Sequence, residues 1–168
     1  MHCDLKPADG VDVVGDVFDP QVLARMADHD AGLLLCCNIL EHLSDPQPFA
    51  RACAGLVRPG GHVVVSVPLS FPYHRDPIDT MLRPAPEEIA AFFPGWPMKA
   101  GEIVAGPTFL QELRAQPRWG LLLAKHLLQV MMPFYRPVKW LERAHRMLWL
   151  TRPYKVSIAV LQRPEQAR

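Results

Sequence analysis

Apolar residues along this chain alternate between two spacings. The runs VDVVGDV (11–17), GLLLCCNIL (32–40) and HVVVSVP (62–68) are short and nearly continuous, as strands buried on both faces are. Between them apolar residues recur every three or four positions. Val22, Leu23, Met26 and Ala27 follow Asp19-Pro20, while Phe49, Cys53, Leu56 and Val57 follow Ser44-Asp45-Pro46. Each start predicts a capped helix with proline in its first turn. RPGG stops the second helix. Strand, helix, strand, helix, strand predicts an α/β fold whose ligands bind at the carboxyl ends of its strands. Those ends are Asp16-Val17, residues 38–42 and residues 68–79.

Beyond residue 80 the pattern loosens. APEEIAAFF (85–93) predicts a short helix with Pro86 and two acids in its first turn, which suits the helix dipole. MKAGEIVAG (98–106) predicts a strand. Residues 107–149 read as two or three helices broken at Pro117, Pro133 and Pro137. YKVSIAVLQR (154–163) alternates, with Val156, Ile158 and Val160 on one face of a last strand. A single domain over 1–168 is expected, with 1–100 as the sheet part, 107–150 as a helical insertion or lid, and 154–162 as the last strand.

Composition narrows the class. In 168 residues, 49% are hydrophobic and 21% charged, which suits a packed core and excludes wholesale disorder. The opening MHCDLKPADG lacks the basic start and apolar core of a secretory signal. The four cysteines lack C-x-x-C spacing, so buried thiols in a reduced, cytoplasmic chain are expected, with no metal site. Cys36 and Cys37, adjacent on a strand, point to opposite faces. The net charge of +1 hides an asymmetry: 7 Lys+Arg against 14 Asp+Glu through Glu102, then 11 against 3. Lys139, Glu142, Arg143 and Arg146 share one helix face, with Trp140 and Trp149 nearby. Two readings stay open for 120–150: a lid with a solvated basic face, or peripheral contact with the inner face of an anionic membrane. GLLLAKHLLQVMM (120–132) falls short of the roughly 20 residues that span a bilayer. No nucleic acid is expected, because no aromatic stacking platform interleaves with the basic residues.

Taken in order, VDVVGDV, LLLCCNILEHLSDPQPF, LVRPGGHVVVSVP and YHRDPIDTMLRPAPEEI resemble the class I S-adenosylmethionine-dependent methyltransferases, in particular the small-molecule enzymes of the type 11 group. The resemblance rests on a series: an apolar strand ending in Glu41-His42, a proline-opened helix, and Pro-Gly-Gly before the next strand. It implies a Rossmann-like sheet, mostly parallel with a C-terminal antiparallel strand. It also implies S-adenosyl-L-methionine as cofactor and methyl transfer to a small-molecule or glycan acceptor, lipid-linked acceptors included. Asp4 would then grip the ribose hydroxyls, and Asp16 and Val17 would lie beside the adenine. Asn38, Leu40 and Glu41 would lie under the methionine part, with His42 a catalytic candidate. The loop after the 62–68 strand borders the acceptor, with His74 as candidate base and Tyr73, Asp76 and Arg83 as acceptor contacts. An Asp79–Arg83 pair would fix that loop.

The family's first strand and its G-x-G-x-G turn have no counterpart before Asp4, and the only early glycines are Gly10 and Gly15. In the family order 3-2-1-4-5-7-6 the gap falls in mid-sheet. Either the 11–17 strand moves beside the 32–40 strand, or another chain fills the gap, or this reading frame begins too late and the chain is N-terminally truncated; an oligomer or partner-bound state is expected. The competing reading is a non-catalytic remnant that binds a partner or membrane. A nicotinamide-dependent oxidoreductase would need its own glycine fingerprint, which the chain lacks.

Overall fold

Aspartate and proline set the first two helices. The Asp19 carboxylate accepts from the Gln21 backbone N–H and opens α1 (Pro20–Ala27). Asp45, rather than Ser44, does the same for Gln47 and opens α2 (Pro46–Leu56). The structure, a computed structural model, describes residues 1–74, 78–134 and 137–165.

Two sheets form. β1 (Cys3–Asp4) and β2 (Val13–Val14) make a short parallel pair. β3 (Ala31–Cys37), β4 (Val57–Ser70), β5 (Met98–Thr108) and β6 (Pro153–Gln162) make a four-stranded sheet in the order β3-β4-β6-β5. β3 and β4 are parallel, and β6 runs antiparallel to both β4 and β5. Three strands therefore share one direction and the last opposes them, the mixed α/β sheet expected from the sequence.

The 11–17 run does not move beside β3. Only Val13 and Val14 are extended, and they pair with β1. The chain then turns sharply: the Gly15 N–H donates to the Asp4 carbonyl, and the Phe18 N–H donates to Asp16 Oδ1. A Cβ at Gly15 would lie 2.6 Å from a Val22 methyl, so the bare glycine lets α1 close onto the turn. Among the described residues, the edge of β3 away from β4 has no strand partner.

Burial of β3 also departs from expectation. Cys36 faces the core and Cys37 points out, as adjacent strand residues must. Leu33 and Leu35, however, are 55% and 63% exposed. The reason is that α2 and α3 (Pro86–Ala91) pack on one side only, against Val63, Val65 and Val67 of β4 and Ala159 and Leu161 of β6. The opposite side carries Leu33, Leu35 and Val104 in the open, with Val64, Ile158 and Val160 half-buried. On β6 the expected Val156, Ile158 and Val160 do share a face. The deeper face holds Ser157, Ala159 and Leu161, small at two positions where α3 lies close.

Glycine has a specific use where β4 begins. Gly60 takes a positive φ of 76°, and a Cβ on Gly61 would lie 2.9 Å from the Gly32 carbonyl oxygen of β3. After β5, the Thr108 hydroxyl caps α4 (Phe109–Arg114), followed by α5 (Trp119–Val130) and α6 (Pro137–Met147). Phe109, Leu113, Trp149 and Tyr154 form their own core. Trp149 Nε1 donates to Ser70 Oγ at 3.1 Å, which ties this helical segment to the end of β4.

Candidate functional site

At the end of β3, Asn38 adopts a left-handed φ of 53°, a conformation asparagine tolerates better than most residues. Its N–H donates to the Ser66 carbonyl of β4 at 2.9 Å. The chain then enters a 3-10 turn, Leu40–His42. Leu40 drops into the main core. Glu41 beside it is 1% exposed, and neither carboxylate oxygen has a hydrogen-bond partner among the described residues. Burial pushes the Glu41 carboxyl above its usual range, against the opposing pull of its backbone, His42, His74 and Arg83.

The loop after β4 folds back over this turn. Thr80 donates its N–H and its hydroxyl to the Glu41 carbonyl, at 2.8 and 2.9 Å. His42 Nδ1 lies 2.5 Å from the Ile78 carbonyl. A carbonyl only accepts, so neutral His42 carries its proton on Nδ1 and keeps a lone pair on Nε2. That nitrogen stands 3.9 Å from Glu41 Oε1.

Asp79 anchors the other half. Its buried carboxylate accepts from Arg83 at 2.6 Å, the Met81 N–H at 2.8 Å and the His74 N–H at 3.2 Å. Burial alone would raise its pKa, but Arg83 and the backbone donors hold it below the usual range. Oδ2 of Asp79 also lies 3.0 Å from His74 Nδ1, off the line of a hydrogen bond. The rings of His42 and His74 meet edge to face, centroids 5.4 Å apart. Glu41, His42 and His74 thus each offer one ligand-type atom, all within 4.8 Å of one another. Such a set can take up a proton or hold a cation.

The remaining expected residues are dispersed. Asp4 and Asp16 are exposed, and each has one oxygen committed to its own turn, at 2.9 Å from Lys6 N–H and Phe18 N–H respectively. Val17 packs against the main core, and the neighbouring Phe18 ring meets Phe49 edge to face. The Leu40 side chain is internal, which leaves its backbone to face the site. The Tyr73 N–H donates to His145 Nδ1 of α6 at 3.2 Å, so α6 touches the loop after β4. Asp76 lies outside the described residues. Sequence reasoning gave Asp79 only its Arg83 partner. Its further hold on His74 and Met81 was hinted at only by its short spacing from both.

No protein-family model matches the chain. Over 57 residues it is 42% identical to a ubiquinone biosynthesis O-methyltransferase of Cupriavidus pinatubonensis, a match covering 34% of this chain and 23% of that protein. Over 62 residues it is 53% identical to the ubiquinone biosynthesis O-methyltransferase of Pectobacterium carotovorum, covering 37% and 25%. The similarity therefore spans about a quarter of the length of these curated relatives. The crystal structure of the cyclase SpnF superposes with a TM-score of 0.50 at 19% identity, over 80% of this chain and 50% of that one. The chain thus shares an α/β fold with that structure and a stretch of sequence with the O-methyltransferases. On its sheet, Glu41, His42 and His74 gather just beyond the carboxyl ends of β3 and β4, where open α/β sheets receive ligands.

Proposed function

We propose that the chain carries part of an S-adenosyl-L-methionine-dependent O-methyltransferase that acts on a small-molecule hydroxyl. One observation carries the reading: a Glu-His-His cluster converges at the strand ends of a chain similar, over a third of its length, to enzymes named O-methyltransferases. The bound cofactor supplies an electrophilic methyl group with its own positive charge. The protein has to align the acceptor and loosen its proton. The turn from Asn38 to His42 faces the methionine part, with Asp4, Asp16 and Val17 toward the nucleoside. The acceptor lies against the loop of Tyr73, His74 and Arg83, and its hydroxyl meets the lone pairs of the cluster. Asp79, clamped by Arg83, sets the position of His74.

The relatives' names favour a hydroxylated ubiquinone precursor over a glycan. An acceptor of that kind is lipid-like, and the helical insertion suits it. Leu121 and Leu128 stand exposed on α5 beside Lys125, Met131 and Met132 stand exposed just after the helix, and Phe134 is 97% exposed beyond them. That surface supports peripheral contact with the inner face of an anionic membrane. No helix among the described residues is long and apolar enough to cross one. The open sheet face and the free β3 edge support association with a second chain.

The test is incubation with methyl-labelled S-adenosylmethionine and a simple catechol, with the dimethyl ether of that catechol as blank. Label entering the catechol alone supports the reading. No transfer to the catechol overturns it.

A further inference from the structure

The residues that carry the chain out of β4 are gripped in succession by a helical segment distant in sequence. Ser70 Oγ accepts from Trp149 Nε1 at 3.1 Å. The Phe71 ring leans on Tyr154, centroids 5.0 Å apart, and packs against the core that Tyr154 shares with Phe109, Leu113 and Trp149. The Tyr73 N–H donates to His145 Nδ1 at 3.2 Å. His74 follows, and its ring meets Phe71 at 5.7 Å and His42 at 5.4 Å, both edge to face. Asp79 holds the His74 N–H from later in the chain, and His145 holds the N–H just before it.

The gripping side is itself braced. At the start of α4 the N–H groups of Phe109 and Leu110 donate to the Trp149 and Leu150 carbonyls, at 3.0 and 3.2 Å. The His145 ring stands edge to face with Trp149, centroids 4.9 Å apart, which sets the ring's orientation. A backbone N–H only donates, so Nδ1 of His145 presents its lone pair and the ring proton sits on Nε2. An N–H in a half-buried loop can bond to water at little cost. A side chain from 72 residues away takes that place here and thereby restricts where the loop lies.

We propose that His145 is a positioning residue: by holding the Tyr73 N–H, it sets where the His74 ring stands against His42. That His74 serves an acceptor rests on the function proposed above; the hold on its loop does not. Misplacing a reacting group by about 1 Å can cost about 10²-fold in rate, so one bond beside His74 is enough to matter. Two substitutions separate the hydrogen bond from the packing. In His145→Asn, Oδ1 takes the place of Nδ1 and can accept from Tyr73, while the ring is lost. In His145→Phe, the ring against Trp149 is kept and the acceptor is lost.

The test is backbone hydrogen exchange on the full chain, with methyl transfer from S-adenosylmethionine to a catechol as second readout. Exchange at Tyr73 should quicken by about tenfold or more in His145→Phe and stay near the parent's in His145→Asn. Protection of Val63 to Val67 on β4 should be kept in both, which shows that each variant is folded. Turnover should fall by about 10- to 10²-fold in His145→Phe, with the KM for S-adenosylmethionine unchanged, and be retained in His145→Asn. The reverse pattern, with His145→Phe like the parent and His145→Asn impaired, makes His145 a packing partner of Trp149 and overturns the proposal. Equal Tyr73 exchange in all three chains overturns it, as does fast exchange with undiminished turnover in His145→Phe. Exchange needs no methyl transfer. A parent chain inactive on the catechol therefore refutes the proposed function, while exchange still decides whether His145 holds the loop.

Discussion

His74 meets the site through Asp79, five residues further along the chain, and its ring lies against His42 and Phe71. If His74 prepares the acceptor as base, His74→Ala should lower turnover by roughly 10²–10⁴-fold with cofactor affinity nearly unchanged. Steady-state rates alongside a cofactor titration separate the cases: a loss confined to cofactor affinity, or no loss, removes His74 from the chemistry. At this scale part of the site was legible. Glu41-His42 ends an apolar run, and Asp79 and Arg83 stand four residues apart with opposite charge. What was not legible is that Glu41 is sealed in without a hydrogen-bond partner among the described residues. That depends on Thr80 and Ile78 returning across 36 or more residues to cover the turn.

Among the elements, α5 and α6 decide how the insertion behaves. His126 of α5 packs on Phe109 of α4, and the hollow there is also lined by Glu112 and Arg146. Burial pushes the His126 imidazole below its usual pKa, and Arg146, Arg143 and Lys125 add to the shift. The unfolded chain therefore binds more protons at this residue than the folded one once pH falls below about 6.5. Stability from His126 is full above that pH and is lost as pH drops toward the lowered folded value. Thermal unfolding at pH 5.5 and 7.5 should show a smaller difference for His126→Gln than for the parent chain; an equal difference would contradict the assignment. The exposed side of α5 leads to a separate expectation. Vesicles containing anionic lipid should sediment the chain, neutral vesicles should not, and Leu128→Glu with Met131→Glu should abolish the effect. Equal recovery with both lipids would exclude the membrane contact. Helix starts were readable here because aspartate, threonine and proline act locally. Strand coverage was not, because which side of a sheet receives helices is set by the connections between strands.

At the scale of the molecule, a sheet face left uncovered and a β3 edge left unpaired among the described residues outweigh any single residue. Leu33, Leu35 and Val104 line that face, and free edge N–H and C=O groups recruit other strands. The isolated chain should therefore associate, and light scattering at low protein concentration should report particles larger than 18.9 kDa. A monodisperse monomer that unfolds cooperatively would contradict this. The parallel β3–β4 pair and the opposed last strand were legible. The separation of β1 and β2 from the main sheet was not, because it follows from the close turn at Gly15 and Asp16. The central proposal is that the strand ends near Asp16 and Glu41 form a site for S-adenosyl-L-methionine. Calorimetric titration with S-adenosylhomocysteine tests it most directly. Saturable one-site binding, weakened by about 1–3 kcal/mol in Asp16→Ala, is the predicted result. Absence of binding, or equal affinity in the parent and Asp16→Ala, would contradict it.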